Sequence, residues 1–151
     1  MSVYDRIVPE WEAFEYADAW RLGVLLHDLA AERGHGVAID IRRPTGLILF
    51  RAVLPGATLD QEHWIRKKAA LVFRFETSSG DIAERLIGAG VDVGAMGWLD
   101  PSEYALAGGS VPVKVRGAGI VAAATVSGLT SEGDHALVIE AMQRLLAESD
   151  N

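Results

Sequence analysis

The chain of 151 residues carries 14 Lys and Arg against 21 Asp and Glu, a net charge of -7, with half its residues apolar and no cysteine. That length suits a single domain spanning 1–151 that buries roughly two-thirds of its unfolded surface. The charge balance argues against unaided binding to nucleic acid or an anionic membrane, and the lack of cysteine excludes disulfides, thiolate metal sites, a thiol nucleophile and Cys-ligated haem.

The start, Met1-Ser-Val-Tyr-Asp-Arg6, lacks a basic segment followed by an apolar run, so no signal peptide is expected. No apolar stretch approaches the ~20 residues that span a bilayer, and a cytoplasmic protein without membrane contact is the expectation. Trp11 to Phe14 reads as a short first strand. Tyr16-Ala17-Asp18 leads into a helix with Leu22, Leu25, Leu26 and Leu29 on one side, ending near Arg33 because Gly34 suits a left-handed cap. Val37 to Ile41 alternates as a strand, Arg43-Pro44-Thr45-Gly46 is turn chemistry, and Leu47 to Leu54 returns as the second arm of a hairpin.

Thr58-Leu-Asp-Gln61 is a capping box, so a long helix starts near Leu59 and runs to about Thr77. A shorter helix follows over Ile82 to Ile87. The segment from Gly88 to Gly109 is read as irregular, with a helical turn at Asp100-Pro101-Ser102-Glu103 under Tyr104. Gly108 to Val115 and Gly119 to Gly128 then read as a hairpin around a glycine-rich turn, and Ser131 with Asp134 forms an approximate capping box for a last helix. Five strands and three principal helices with hairpin connections predict an α+β domain built on a five-stranded antiparallel sheet, with helices packed on it.

Several side chains invite a chemical role. On the second helix the apolar side is set by Trp64, Ile65, Leu71, Val72 and Phe75, and Lys68 falls near its centre, whereas Arg66, Lys67 and Arg74 fall outside it. An ammonium there must reach water, a structural carboxylate or an anionic ligand group. On the last helix, Ile139, Met142 and Leu146 lie within roughly 40 degrees of His135, which puts the imidazole on the apolar face in the first turn. The positive helix N-terminus disfavours imidazolium, so His135 is a core histidine or a neutral ligand contact or base. Asp60 and His63 share a helix face without a third ligand in register, so no metal site is expected. Gly108-Gly109 lets backbone approach a ligand, or turns the chain into its strand. Ser127, at a strand end, is a pocket-lining hydroxyl rather than a nucleophile.

Thr125-Val126-Ser127-Gly128-Leu129 followed by Asp134-His135 and an apolar helix resembles the haem-degrading domain family, the GlcG/HbpS-like superfamily. Trp64-Ile65-Arg66-Lys67-Lys68, the earlier Leu54-Pro55-Gly56 and Gly108-Gly109 before Pro112 resemble its small cytosolic branch, and the likeness covers nearly the whole chain. The pattern departs at Gln61, where the family shows Asn, and at Val111, often aromatic there. The resemblance implies a profilin-like fold and homo-oligomers, rings or larger closed assemblies.

Taken together these signs predict a homo-oligomeric small-molecule-binding protein, taking haem or another anionic ligand in a pocket near Lys68 and His135. Lys68 meets the anionic group, with Lys67 of the motif beside it, and His135, next to Asp134, supplies a hydrogen bond or an axial ligand. Gly108, Gly109 and Tyr104 form one wall, Trp64 another, and Ser127 is a lining hydroxyl. Two other classes stay open: a non-catalytic oligomeric adaptor in which Lys68 and His135 are core or interface residues, and a small-metabolite enzyme with His135 as general base.

Overall fold

The structure, a computed structural model, describes residues 2–5 and 8–149; Met1 and Arg6 of the expected leaderless start lie outside them. After a two-residue strand β1 (Glu10–Trp11), helix α1 (Tyr16–Glu32) opens with the Glu15 N–H donating to the Asp18 carboxylate at 2.7 Å. It closes as expected at Gly34, whose φ of 68° lets the His35 N–H return to the Ala30 carbonyl at 2.9 Å. Strands β2 (Ala38–Arg42) and β3 (Ile48–Val53) form the first hairpin. Helix α2 (Leu59–Phe75) starts on the expected capping box: the Thr58 hydroxyl accepts from the Asp60 N–H, and Gln61 Oε1 accepts from the Thr58 N–H at 2.6 Å.

Helix α3 (Ser79–Gly88) begins three residues earlier than its apolar pattern suggests, because the Ser78 hydroxyl accepts the Asp81 N–H at 3.2 Å and caps it. Strands β4 (Ser110–Val115) and β5 (Gly119–Ser127) make the second hairpin, and helix α4 (Ser131–Ser149) follows. Its cap is Thr130 rather than a Ser131–Asp134 box: the Thr130 hydroxyl accepts from the Gly133 N–H at 3.0 Å. That frees the Asp134 carboxylate for other partners.

The strand order is β1-β4-β5-β2-β3. The sheet is mixed, which corrects the expectation of a purely antiparallel one, because β1 runs parallel to β4. β1 and β2 point the same way since α1 carries the chain back across one face between them, and a helical crossover returns a strand in parallel. The expected strand over Trp11 to Phe14 is shorter and ends at Trp11. A strand of two residues holds too little alternation to reveal either its limits or its direction.

Helices α1 and α4 cover one face, where Leu22, Leu26, Val138 and Met142 close on Ile39, Ile41, Val113 and Val126. Each such aliphatic side chain contributes about 1.5–3 kcal/mol on burial. Helix α2 lies on the other face, with Ala69 and Val72 against Ala123. β2 is covered on both sides, so Asp40 is fully buried although it alternates with Ile39 and Ile41. Cross-strand register sets Ser110 beside Thr125, Thr125 beside Asp40 and Asp40 beside Arg51, a polar row under α2. Among the described residues no helix is long and apolar enough to cross a membrane.

Candidate functional site

Lys68 leaves the buried side of α2 between Ile65, Ala69 and Val72, and only 3% of it is exposed. Its ammonium donates to the Val126 carbonyl at 3.2 Å and to Asp134 Oδ2 at 3.1 Å. The other oxygen of Asp134 accepts the Leu129 N–H at 2.9 Å. One carboxylate thus ties together α2, the β5–α4 loop and the first turn of α4, where the helix dipole favours an anion. Burial pulls the Lys68 ammonium below its usual range, against the charge of Asp134. Burial likewise pushes the Asp134 carboxyl up, against the Lys68 charge and the Leu129 hydrogen bond. Each partner's charge opposes the effect of burial on the other.

Gly109 makes room for this pair. Its φ is 128°, and a Cβ there would stand 2.5 Å from the Val126 carbonyl oxygen, 2.8 Å from Lys68 Nζ and 2.9 Å from the Asp134 Cβ. The glycine therefore admits an internal lysine to the strand end. In front of the pair lies a cleft of about 250 Å³ lined by Gln61, Trp64, Lys68, Ser127, Leu129 and Asp134. The Trp64 indole N–H donates to Asp60 at 3.1 Å, which fixes the ring at the rim. Two of the three donors on the ammonium are committed to Val126 and Asp134, and Lys68 lines the cleft together with Ser127.

The remaining candidate residues sit elsewhere. His135 is fully buried, with the Tyr4 ring edge-on at a centroid separation of 4.8 Å, so its ring shows no open edge. Burial, then the charges of Glu132, Glu84 and Asp134, push the Tyr4 hydroxyl up to about 12. Gly108 backs onto the same tyrosine: a Cβ would meet Tyr4 Oη and the Ser131 carbonyl oxygen, each at 2.6 Å. Tyr104 lines a different cleft, beneath the Arg74 guanidinium at 5.0 Å. Lys67 is half-buried and its charge helps hold Asp100 below the usual carboxylate range, after the stronger effect of the Ser102 hydrogen bonds. Asp60 and His63 gain no third ligand; no group of three or more His, Asp or Glu among the described residues could hold a metal ion. The structure brings Trp64, Lys68, Ser127 and Asp134 together over Gly109, and leaves His135, Tyr104 and Lys67 outside.

One polar assembly escaped sequence reading. Buried Asp40 accepts from Arg42 at 2.7 and 2.9 Å and from Arg51 at 2.8 Å, and Arg51 continues to Glu62 on α2 at 2.7 Å. Beside it, the Ser110 and Thr125 hydroxyls are 2.9 Å apart, and the Ser79 hydroxyl accepts the Ser110 N–H. The available signal was an acid inside an apolar strand, with arginines two residues later and directly across the hairpin.

With the fold and cleft in place, comparison with known proteins defines the class. The sequence model described as "Haem degrading protein HbpS-like" matches residues 14–143. A UPF0303 protein of Streptomyces coelicolor is 46% identical over 135 residues, covering 89% of this chain and 85% of that protein. Among solved structures, the crystal structure of Ybr137w protein superposes with a TM-score of 0.85 at 31% identity, covering 94% of this chain and 83% of that one. The crystal structure of a PduOC:Heme complex shares the fold, with a TM-score of 0.72 at 18% identity over 85% of this chain and 94% of that one. This chain belongs to the HbpS-like haem-degrading protein family.

Proposed function

We propose that this chain is a self-associating protein that binds a small polar ligand in the cleft before the Lys68–Asp134 pair. The observation that carries the reading is the pair itself: two desolvated, mutually dependent charges at the floor of a concave site, each perturbed by burial. Perturbed titratable groups in a cleft mark functional sites more often than chance. The ammonium of Lys68 and the hydroxyl of Ser127 suit a carboxylate or carbonyl oxygen, and the Trp64 face suits the apolar part of the same molecule.

Haem is the ligand that the family description and the PduOC complex bring forward. Within a single chain these residues do not form its pocket. The cleft of about 250 Å³ is below the ~300–1,000 Å³ that enclose drug-sized ligands, and the imidazole of His135 is covered by Tyr4. No step is therefore derived through haem iron, and haemin enters as the first probe. Self-association is supported by β3, the last strand of the sheet, whose free edge is flanked by exposed Leu47, Ile48 and Val53.

The test is thermal unfolding of wild type and Trp64→Ala against haemin and a panel of small carboxylates and hydroxy acids. A saturable rise in Tm with a panel member, lost in Trp64→Ala, supports the cleft. Equal responses of the two proteins across the panel would sink it. A saturable Soret shift with haemin that survives Trp64→Ala would move the site away from Lys68.

A further inference from the structure

A second cleft, of about 440 Å³, opens between the β2–β3 turn, the outer side of α2 and the segment before β4. Four arginines line it (Arg42, Arg43, Arg66 and Arg74), and among the described residues no acidic one does. Arg42 is neutralised by Asp40, but the other three behave differently from the rest of the chain. Among the described residues, every arginine outside this cleft is ion-paired with a carboxylate. Arg43, Arg66 and Arg74 have no such pair among the described residues, and all three face one concavity.

Their observed contacts leave the charge unspent. Arg66 donates to the Ser102 carbonyl at 3.4 Å and Arg74 to the Trp98 carbonyl at 2.8 Å, while Arg43 stands over the Tyr16 ring at 4.7 Å. Carbonyls and ring faces orient a guanidinium without cancelling its charge. Arg66 and Arg74 are two turns apart on α2, with Ala70 between them, so the helix offers two cations above a small-residue floor. Gathering three like charges is unfavourable in an empty cleft. In a chain of net charge -7, it is also the reverse of the overall field.

We infer that this cleft is a binding site for a small, multiply charged organic oxyanion, a phosphate ester or a polycarboxylate, separate from the cleft at Lys68. Planar guanidinium forks match the paired oxygens of both groups, and the volume falls within the range for small-molecule sites. Phe73, on the same wall, supplies an apolar surface for the body of the molecule.

The experiment is calorimetric titration of the full chain with pyrophosphate and with citrate, at about 150 mM salt so that unspecific charge attraction is screened. Wild type is expected to bind at least one probe saturably, and Arg66→Gln and Arg43→Gln each to weaken it about tenfold, the loss of one charge-assisted contact. Arg116→Gln, which removes an ion-paired arginine on β1's side of the sheet, should bind as wild type does, and Trp64→Ala, in the other cleft, separates the two sites. Binding of pyrophosphate alone assigns a phosphate ligand, and of citrate alone a carboxylate. Two separate arginine variants guard against one that fails to fold. The inference is overturned if neither probe saturates above a chloride control, if both arginine variants bind unchanged, or if Trp64→Ala abolishes binding as well. It is equally overturned if Arg66→Gln dissociates an oligomer while no anion binds, because the cleft would then hold a second copy of the chain.

Discussion

Replacing Lys68 by methionine keeps an unbranched side chain, one atom shorter, and removes the ammonium that pairs with Asp134 and donates to the Val126 carbonyl. At the observed 3.1 Å and an effective dielectric constant of about 20, the attraction lost is on the order of 5 kcal/mol. Desolvation of the lysine is relieved at the same time, but Asp134 is left buried without its cation, and breaking such a pair typically costs about 3–5 kcal/mol. For a chain of this length that lowers Tm by roughly 6–20 °C. The loss depends on pH. Burial already raises the carboxyl of Asp134 above its unfolded value, and losing Lys68 raises it further. A group whose folded pKa is raised contributes stability below its unfolded pKa, and that contribution disappears as pH rises through the folded pKa. The deficit of Lys68→Met therefore narrows as pH falls from 7 towards the ordinary carboxylate range. Adding Asp134→Asn removes the stranded charge and keeps an oxygen for the Leu129 N–H, so the double variant should recover most of the loss. Urea unfolding at fixed protein concentration, at neutral and mildly acidic pH, measures all of this. A deficit below about 1 kcal/mol at pH 7, or one that ignores pH and the second substitution, refutes the reasoning.

Three further outcomes follow from the same geometry. Gly109→Ala places a methyl 2.5 Å from the Val126 carbonyl oxygen at a φ of 128°, and should destabilise by about 2–4 kcal/mol; a change within 0.5 kcal/mol would show that β4 shifts freely there. Asp40→Ala leaves buried Arg42 with the longer Glu62 contact at 3.9 Å and should cost about 3–5 kcal/mol in chemical denaturation, while Arg51, which is more exposed and 2.7 Å from Glu62, should cost less when replaced by Met; the reverse ranking contradicts the role given to Asp40. Val53→Lys puts a charge on the free edge of β3 and should lower the mass seen by sedimentation velocity; an unchanged assembly would place the contact between copies elsewhere.

Much of the fold was legible because it is local. Caps and breakers at Thr58, Gly34 and Pro55-Gly56, and helical periodicity through Leu22, Leu26 and Leu29, act over a few residues and leave their mark in the linear pattern. The family motifs around Trp64 and Ser127 likewise fall on one cleft. The wheel position of Lys68 showed that its charge needed a partner, but three kinds of partner were open. Only the packing of α2 across β5 decided that this partner is Asp134, which lies 66 residues away. The same packing turned Gly109 from a candidate ligand contact into space for an ammonium. It also placed Tyr104 and Trp64 on different clefts, and covered His135 with Tyr4. Asp40, Arg42 and Arg51 form an internal network because α2 closes over that face of the hairpin. Periodicity reports which face a residue occupies, because that depends on its own element. What covers that face depends on elements far along the chain, and so the site belongs to the tertiary structure.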